Sequence, residues 1–213
     1  MIDLDAIRTL ADIPAAQARK RGDAVAVKFG ARETTFAELD ARSNRVAQAL
    51  LASGVAPGDR VSALTKNHDG WYPLFFGAAR ARACLAPVNC RLAAGEIAFI
   101  LGDAAPKMLF VGEDFFDLAL AAIADLADPP RLVALYGEHP ACEALDTWLG
   151  DAPATPPTFE PQLSDDVLQL YTSGTTGRPK GVVLANKNYR RFLEMATEVD
   201  GFAYGEDETV MIV

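Results

Sequence analysis

Asp59 to Asp103 reads DRVSALTKNHDGWYPLFFGAARARACLAPVNCRLAAGEIAFILGD. A short apolar run at Val61 to Thr65 is followed by a helix-length stretch at Trp71 to Ala83. A second run at Cys84 to Val88 is followed by a second helical stretch at Ala93 to Leu101. The alternation continues with strands at Met108 to Val111 and Leu132 to Leu135, on either side of a helix at Phe115 to Leu126. Strands separated by helices of this length form βαβ units, so the expected fold is α/β, a layered and mainly parallel sheet with flanking helices.

Upstream, Ile7, Leu10, Ile13 and Ala18 are spaced for a first helix over residues 6–21. Val25 to Phe29 and Arg32 to Thr35 suit two paired strands around Gly30. Thr35-Phe36-Ala37-Glu38 is a capping box, and the helix it starts should run to Gly54. Asn67 and Asn89, each ahead of a helix, are expected to be caps. Trp71, Tyr72, Phe75 and Phe76 have the spacing of a helix face made for burial.

Downstream, Pro153, Pro156, Pro157 and Pro161 mark a connector over 150–163, between an N-terminal α/β subdomain (1–149) and the start of a second subdomain (164–213). Two strand-like runs, ending at Tyr171 and resuming at Val182, then flank the most chemically dense stretch, Tyr171 to Leu184: YTSGTTGRPKGVVL. Glycines let backbone amides approach an anion, hydroxyls donate to phosphate oxygens, and Lys180 supplies a mobile positive charge. The stretch is built to hold a polyphosphate. It is not a Walker A loop, because Pro179 stands where the second glycine belongs and Gly181 where Ser or Thr should follow the lysine.

YTSGTTGRPKGVVL resembles the phosphate-binding signature of the adenylate-forming superfamily: acyl-CoA and aryl-CoA synthetases, luciferases and peptide-synthetase adenylation domains. Asp59 to Asp103 is similar to the early part of acyl-CoA synthetases. The resemblance implies the N-terminal portion of an ATP-dependent ligase that makes an acyl-adenylate and then an acyl-CoA thioester. It assigns Thr172, Ser173, Gly174, Thr175, Thr176, Gly177 and Lys180 to the β- and γ-phosphates. ATP, Mg²⁺ and coenzyme A are the implied cofactors and co-substrates, with a small carboxylic acid as the partner substrate. Motifs for adenine, ribose, the Mg²⁺ carboxylate and the adenylation lysine would lie beyond Val213, so no catalytic or metal-binding residue is expected within this stretch. Two other readings stay open: an adenylation domain loading a carrier protein, and a non-catalytic nucleotide-binding remnant.

Past the loop, Asn186 stands where many relatives carry His and is expected to cap a helix bearing Phe192, Met195 and Val199. Arg190 and Arg191 in its first turn are expected on a solvated face, with an anionic ligand as the alternative. Gly201 to Glu208 should be a loop, and Thr209 to Val213 an apolar strand that stops, which leads us to expect a fragment whose open edge allows a homodimer.

The net charge of −9 argues against nucleic acid or an anionic membrane as partner. Cys84, Cys90 and Cys142 form no C-x-x-C pair, and His68 and His139 stand alone, so neither a disulfide framework nor a zinc site is expected. With neither a secretory leader nor a spanning apolar run, the expected location is the cytoplasm.

Overall fold

The computed structural model describes residues 4–172, 178–198 and 210. The first helix, α1, is Asp12–Arg21 and not the longer helix expected from residue 6. Pro14 explains the late start. It lacks the N–H that an interior helical position needs, but fits the first turn. The Asp12 carboxylate reinforces this start, accepting the Arg8 and Thr9 amides at 3.0 and 2.7 Å.

Strands β1 (Val25–Phe29) and β2 (Arg32–Thr35) form an antiparallel hairpin. Helix α2 (Phe36–Ala52) opens on the capping box: the Glu38 amide donates to Thr35 Oγ1 at 3.2 Å, and the Thr35 amide to Glu38 Oε2 at 2.8 Å. Gly54, with φ of +82°, turns the chain after it. There follow β3 (Arg60–Leu64), α3 (Trp71–Arg80), β4 (Cys84–Val88), α4 (Ala94–Ala104) and β5 (Met108–Val111). A 3₁₀ turn at Glu113–Phe115 leads into α5 (Phe116–Ile123) and β6 (Arg131–Ala134). Two elements not anticipated from sequence come next, β7 (Glu143–Ala144) and α6 (Leu145–Leu149). No helix or strand lies between Leu149 and Asp166, as the prolines require. Then come β8 (Asp166–Thr172), β9 (Lys180–Ala185) and α7 (Asn186–Glu198).

The main sheet has the order β7-β6-β5-β3-β4-β8-β9. Every neighbouring pair is parallel except β8 with β9. The chain steps from β3 to β4 on one side, then reverses past β3 to build β5, β6 and β7 on the other. That is a doubly wound sheet with helices on both faces, the class expected from the alternation. Side chains alternate along β3: Val61 and Ala63 join a core with Leu50 and Leu74 of α2 and α3, while Leu64 joins a second core with Ile97 and Ile100 of α4. Gly77 lets α2 and α3 touch, since a Cβ there would stand 2.5 Å from Val46 Cγ1 and 2.9 Å from the Ser43 carbonyl.

Neither expected asparagine cap is one. Asn67 precedes a turn, and α3 begins after Gly70. Asn89 Oδ1 accepts the Arg91 amide at 3.0 Å in a local Asx turn, while Glu96 takes the Ala93 amide at the start of α4. The connector is tied down by side chains of α2. Asn44 donates to the Ala154 carbonyl, Arg45 to those of Gly150 and Ala152, and Gln48 to that of Thr155. The loop and strand expected over 201–213 fall outside the described residues, apart from the exposed Val210.

Candidate functional site

Because β8 runs parallel to β4, its last residue emerges at the carboxyl-end edge of the sheet, the edge at which open α/β sheets bind ligands. β9 returns antiparallel, with Tyr171 opposite Gly181 and Thr172 opposite Lys180. Thr172 and Lys180 thus form the mouth of the loop as its last paired residues, both exposed. Of the expected phosphate-binding residues, Ser173, Gly174, Thr175, Thr176 and Gly177 lie outside the described residues. Only the two ends of the set are therefore placed, and they are placed together.

The mouth has polar supports that the sequence did not reveal. Gln169, buried in β8, accepts from Arg60 Nε at 3.0 Å and donates to the Tyr171 hydroxyl at 2.9 Å. The Tyr171 hydroxyl in turn donates to Asp103 Oδ2 at 2.5 Å. Burial first, then the Asp103 carboxylate, hold the phenol's pKa well above its usual value, so it remains a donor at all ordinary pH. The visible clue was Gln169, a polar residue in the middle of the apolar run VLQLY.

Other singled-out residues have structural partners. Asn186 is fully buried. Its Oδ1 accepts the Leu10 amide at 3.0 Å and its Nδ2 donates to the Gln162 carbonyl at 2.9 Å. It ties distant segments instead of capping α7, while Asn188 Oδ1 accepts the Ala185 amide at 2.9 Å. The Arg190 guanidinium is neither solvated nor turned to a ligand, because it donates to the Leu4 and Ile7 carbonyls and to Glu194. Phe75 is buried between Trp71 and Tyr189, which makes the aromatic face of α3 packing against α7.

His68 stacks on Tyr136 at 4.0 Å, beside Phe29 and the Arg32–Asp69 pair, and burial lowers its pKa. His139 packs at 5.1 Å from Phe116. Burial pushes the Cys84 thiol up to about 12, which leaves it an inert core group. Among the described residues, no three His, Cys, Asp or Glu are grouped so as to hold a metal ion, and no helix is long and apolar enough to cross a membrane.

The sequence profile described as AMP-binding enzyme matches residues 14–213. A fatty acid–[acyl-carrier-protein] ligase of Streptomyces coeruleorubidus is 40% identical over 86% of this chain and 34% of its own length. A long-chain-fatty-acid–CoA ligase of Mycobacterium tuberculosis is 41% identical over 70% of this chain and 29% of its own. The chain thus spans about a third of the length of these curated relatives. Among solved structures, a fatty acyl CoA synthetase of Mycobacterium tuberculosis superposes with a TM-score of 0.71 at 32% identity, covering 85% of this chain and 35% of that one. An anthranilate CoA ligase in complex with anthranoyl-AMP superposes with a TM-score of 0.78 at 26% identity, covering 88% and 37%. With an α/β sheet of matching architecture, a glycine- and hydroxyl-rich loop at its carboxyl edge and a profile match over nearly its whole length, this chain belongs to the AMP-binding enzyme family.

Proposed function

We propose that this chain carries the triphosphate-binding part of an ATP-dependent ligase that converts a carboxylic acid to an acyl-adenylate and then to an acyl-CoA thioester. The observation that carries the reading is the loop mouth: Lys180 opposite Thr172 at the carboxyl edge of a parallel sheet, closing a stretch of glycines and hydroxyls. Thr172, Ser173, Thr175 and Thr176, with the amides of Gly174 and Gly177, hold the β- and γ-phosphates, and Lys180 neutralises part of their charge. The carboxylate nucleophile is already ionised at neutral pH, so stabilising charge on the leaving pyrophosphate matters more than a base. Mg²⁺ belongs to the same reading. It would neutralise further charge on the phosphates; among the described residues no three His, Cys, Asp or Glu are grouped so as to hold it.

The proposal includes 1–149 as an α/β subdomain, 150–163 as a connector and 164–213 as the beginning of a second subdomain, whose first strands, β8 and β9, extend the sheet of the first at β4. A cytoplasmic location belongs to the same proposal. Pairing of two copies along the edge strand expected near Val210 to Val213 is part of the proposal too, and Val210 is exposed.

A second acceptor is favoured by a specific observation, since the relative matched over 86% of the chain is named as a ligase to acyl-carrier protein. The test is acid-dependent exchange of labelled pyrophosphate into ATP by the complete gene product, followed by transfer to coenzyme A or to a carrier protein. Exchange with one class of acid is expected, with Thr176→Ala or Lys180→Ala lowering it by about two orders of magnitude without unfolding. Exchange unchanged in both variants refutes the assignment of the loop. A folded protein that exchanges with no acid leaves the non-catalytic reading.

A further inference from the structure

The two arms of the loop are fastened to one helix. Asp103, in the last turn of α4, accepts the Tyr171 phenol on the β8 arm at 2.5 Å. Phe99, one turn earlier, has the Arg178 guanidinium of the β9 arm over its ring at 5.9 Å. Gly181 stands opposite Tyr171 in the register. A Cβ there would come within 2.5 Å of Gln169 Nε2 and 3.2 Å of Tyr171 Cζ. The glycine after Lys180 therefore makes room for this network, a requirement separate from phosphate approach. The Tyr171 hydroxyl has its proton committed to a carboxylate, so it is not offered to a phosphate. A carboxylate would itself repel one.

We propose that Tyr171 and Asp103 are positioning residues that hold the end of β8 against α4 and so set where Thr172, and Lys180 paired with it, meet the nucleotide. This rests on the phosphate reading above and extends it to a helix with no motif residue of its own. Loss of the phenol–carboxylate bond frees the β8 arm, so Thr172 is held less firmly in place for a polyphosphate. Neither side chain is assigned to the carboxylic acid, so binding of the acid should be unaffected.

The test is pyrophosphate exchange by the complete gene product carrying Tyr171→Phe, Asp103→Leu, Asp103→Asn, the Tyr171→Phe/Asp103→Leu double variant or Lys180→Ala. Tyr171→Phe and Asp103→Leu should each raise KM for MgATP about tenfold, with KM for the acid within about twofold of the parent. Asp103→Asn keeps an acceptor and should return KM for MgATP to within about threefold. The double variant should be no worse than either single one, because both remove the same bond. Hydrogen exchange of residues 170–172 and 180–182 should quicken about tenfold in Tyr171→Phe, with β3 unchanged. An unchanged KM for MgATP in Tyr171→Phe, while Lys180→Ala raises it, overturns the positioning role alone. Unchanged values in both overturn the phosphate reading and this inference with it. Equal rises for acid and nucleotide, additive singles or unaltered hydrogen exchange also overturn it.

Discussion

Replacing Asn186 by Ala should destabilise the protein far more than the loss of a helix cap. The side chain is fully buried and joins three parts of the chain: the segment at Leu10, the end of the connector at Gln162 and the first residue of α7. Truncation leaves the Leu10 amide buried without its acceptor, a desolvation cost of about 1–3 kcal/mol. The Gln162 carbonyl is only partly buried, so water can replace its donor and the cost falls near the low end of the same range. Together the loss should be about 2–4 kcal/mol. Asn188→Ala is the control, since it removes only the local bond to the Ala185 amide, at about 1 kcal/mol. The assay is urea unfolding followed by tryptophan fluorescence. With a slope of roughly 2 kcal/mol/M, the Asn186→Ala midpoint should fall by about 1–2 M and that of Asn188→Ala by about 0.5 M. Equal shifts would refute the reasoning, because they would make Asn186 an ordinary cap. A small Asn186→Ala shift at unchanged slope would refute it as well.

Two further perturbations follow from the packing and the charge pairs. Gly77→Ala forces a methyl between Val46 and the Ser43 carbonyl. It should cost about 1–3 kcal/mol by the same unfolding assay, and adding Val46→Ala should leave most of the loss in place, because the Cβ at position 46 would still stand 2.6 Å and the Ser43 carbonyl 2.9 Å from the new methyl. Asp165 receives both Arg82 Nε and Nη2 at 2.8 Å. Burial alone would raise its pKa, but the Arg82 hydrogen bonds and the Gln162 amide outweigh that and lower it. A carboxylate with a depressed folded-state pKa stabilises above its unfolded value, near 4, and loses that contribution as pH falls through the folded value. The urea midpoint should therefore drop below about pH 4, and an Asp165→Asn variant should show a shallower drop.

The elements that carry strong local signals were legible in the sequence. Cys84–Val88 and Met108–Val111 become strands with the bounds read from their apolar runs, and Thr35 with Glu38 starts α2 because a capping box needs only residues three apart. The mouth of the loop was legible only nearly: the apolar runs end at Tyr171 and resume at Val182, whereas β8 carries on to Thr172 and β9 already starts at Lys180, because backbone pairing continues past the last apolar side chains. β7 and α6 were missed because a two-residue strand and a five-residue helix contain too few residues to show a period. The helical spacing before Asp12 was overridden by Pro14, and the cap assigned to Asn186 by partners distant in sequence.

By itself, then, the sequence determined the alternation of strands and helices, the glycine- and hydroxyl-rich composition of the loop and the resemblance that named the family. Tertiary structure alone decided that β4 and β5 flank β3, that β8 joins β4 at the carboxyl edge, and that Asp103 lies within reach of Tyr171. The difference is physical. Periodicity, caps and turns depend on groups a few residues apart, whereas strand order and the Asp103–Tyr171 bond depend on which faces bury each other once the chain has folded.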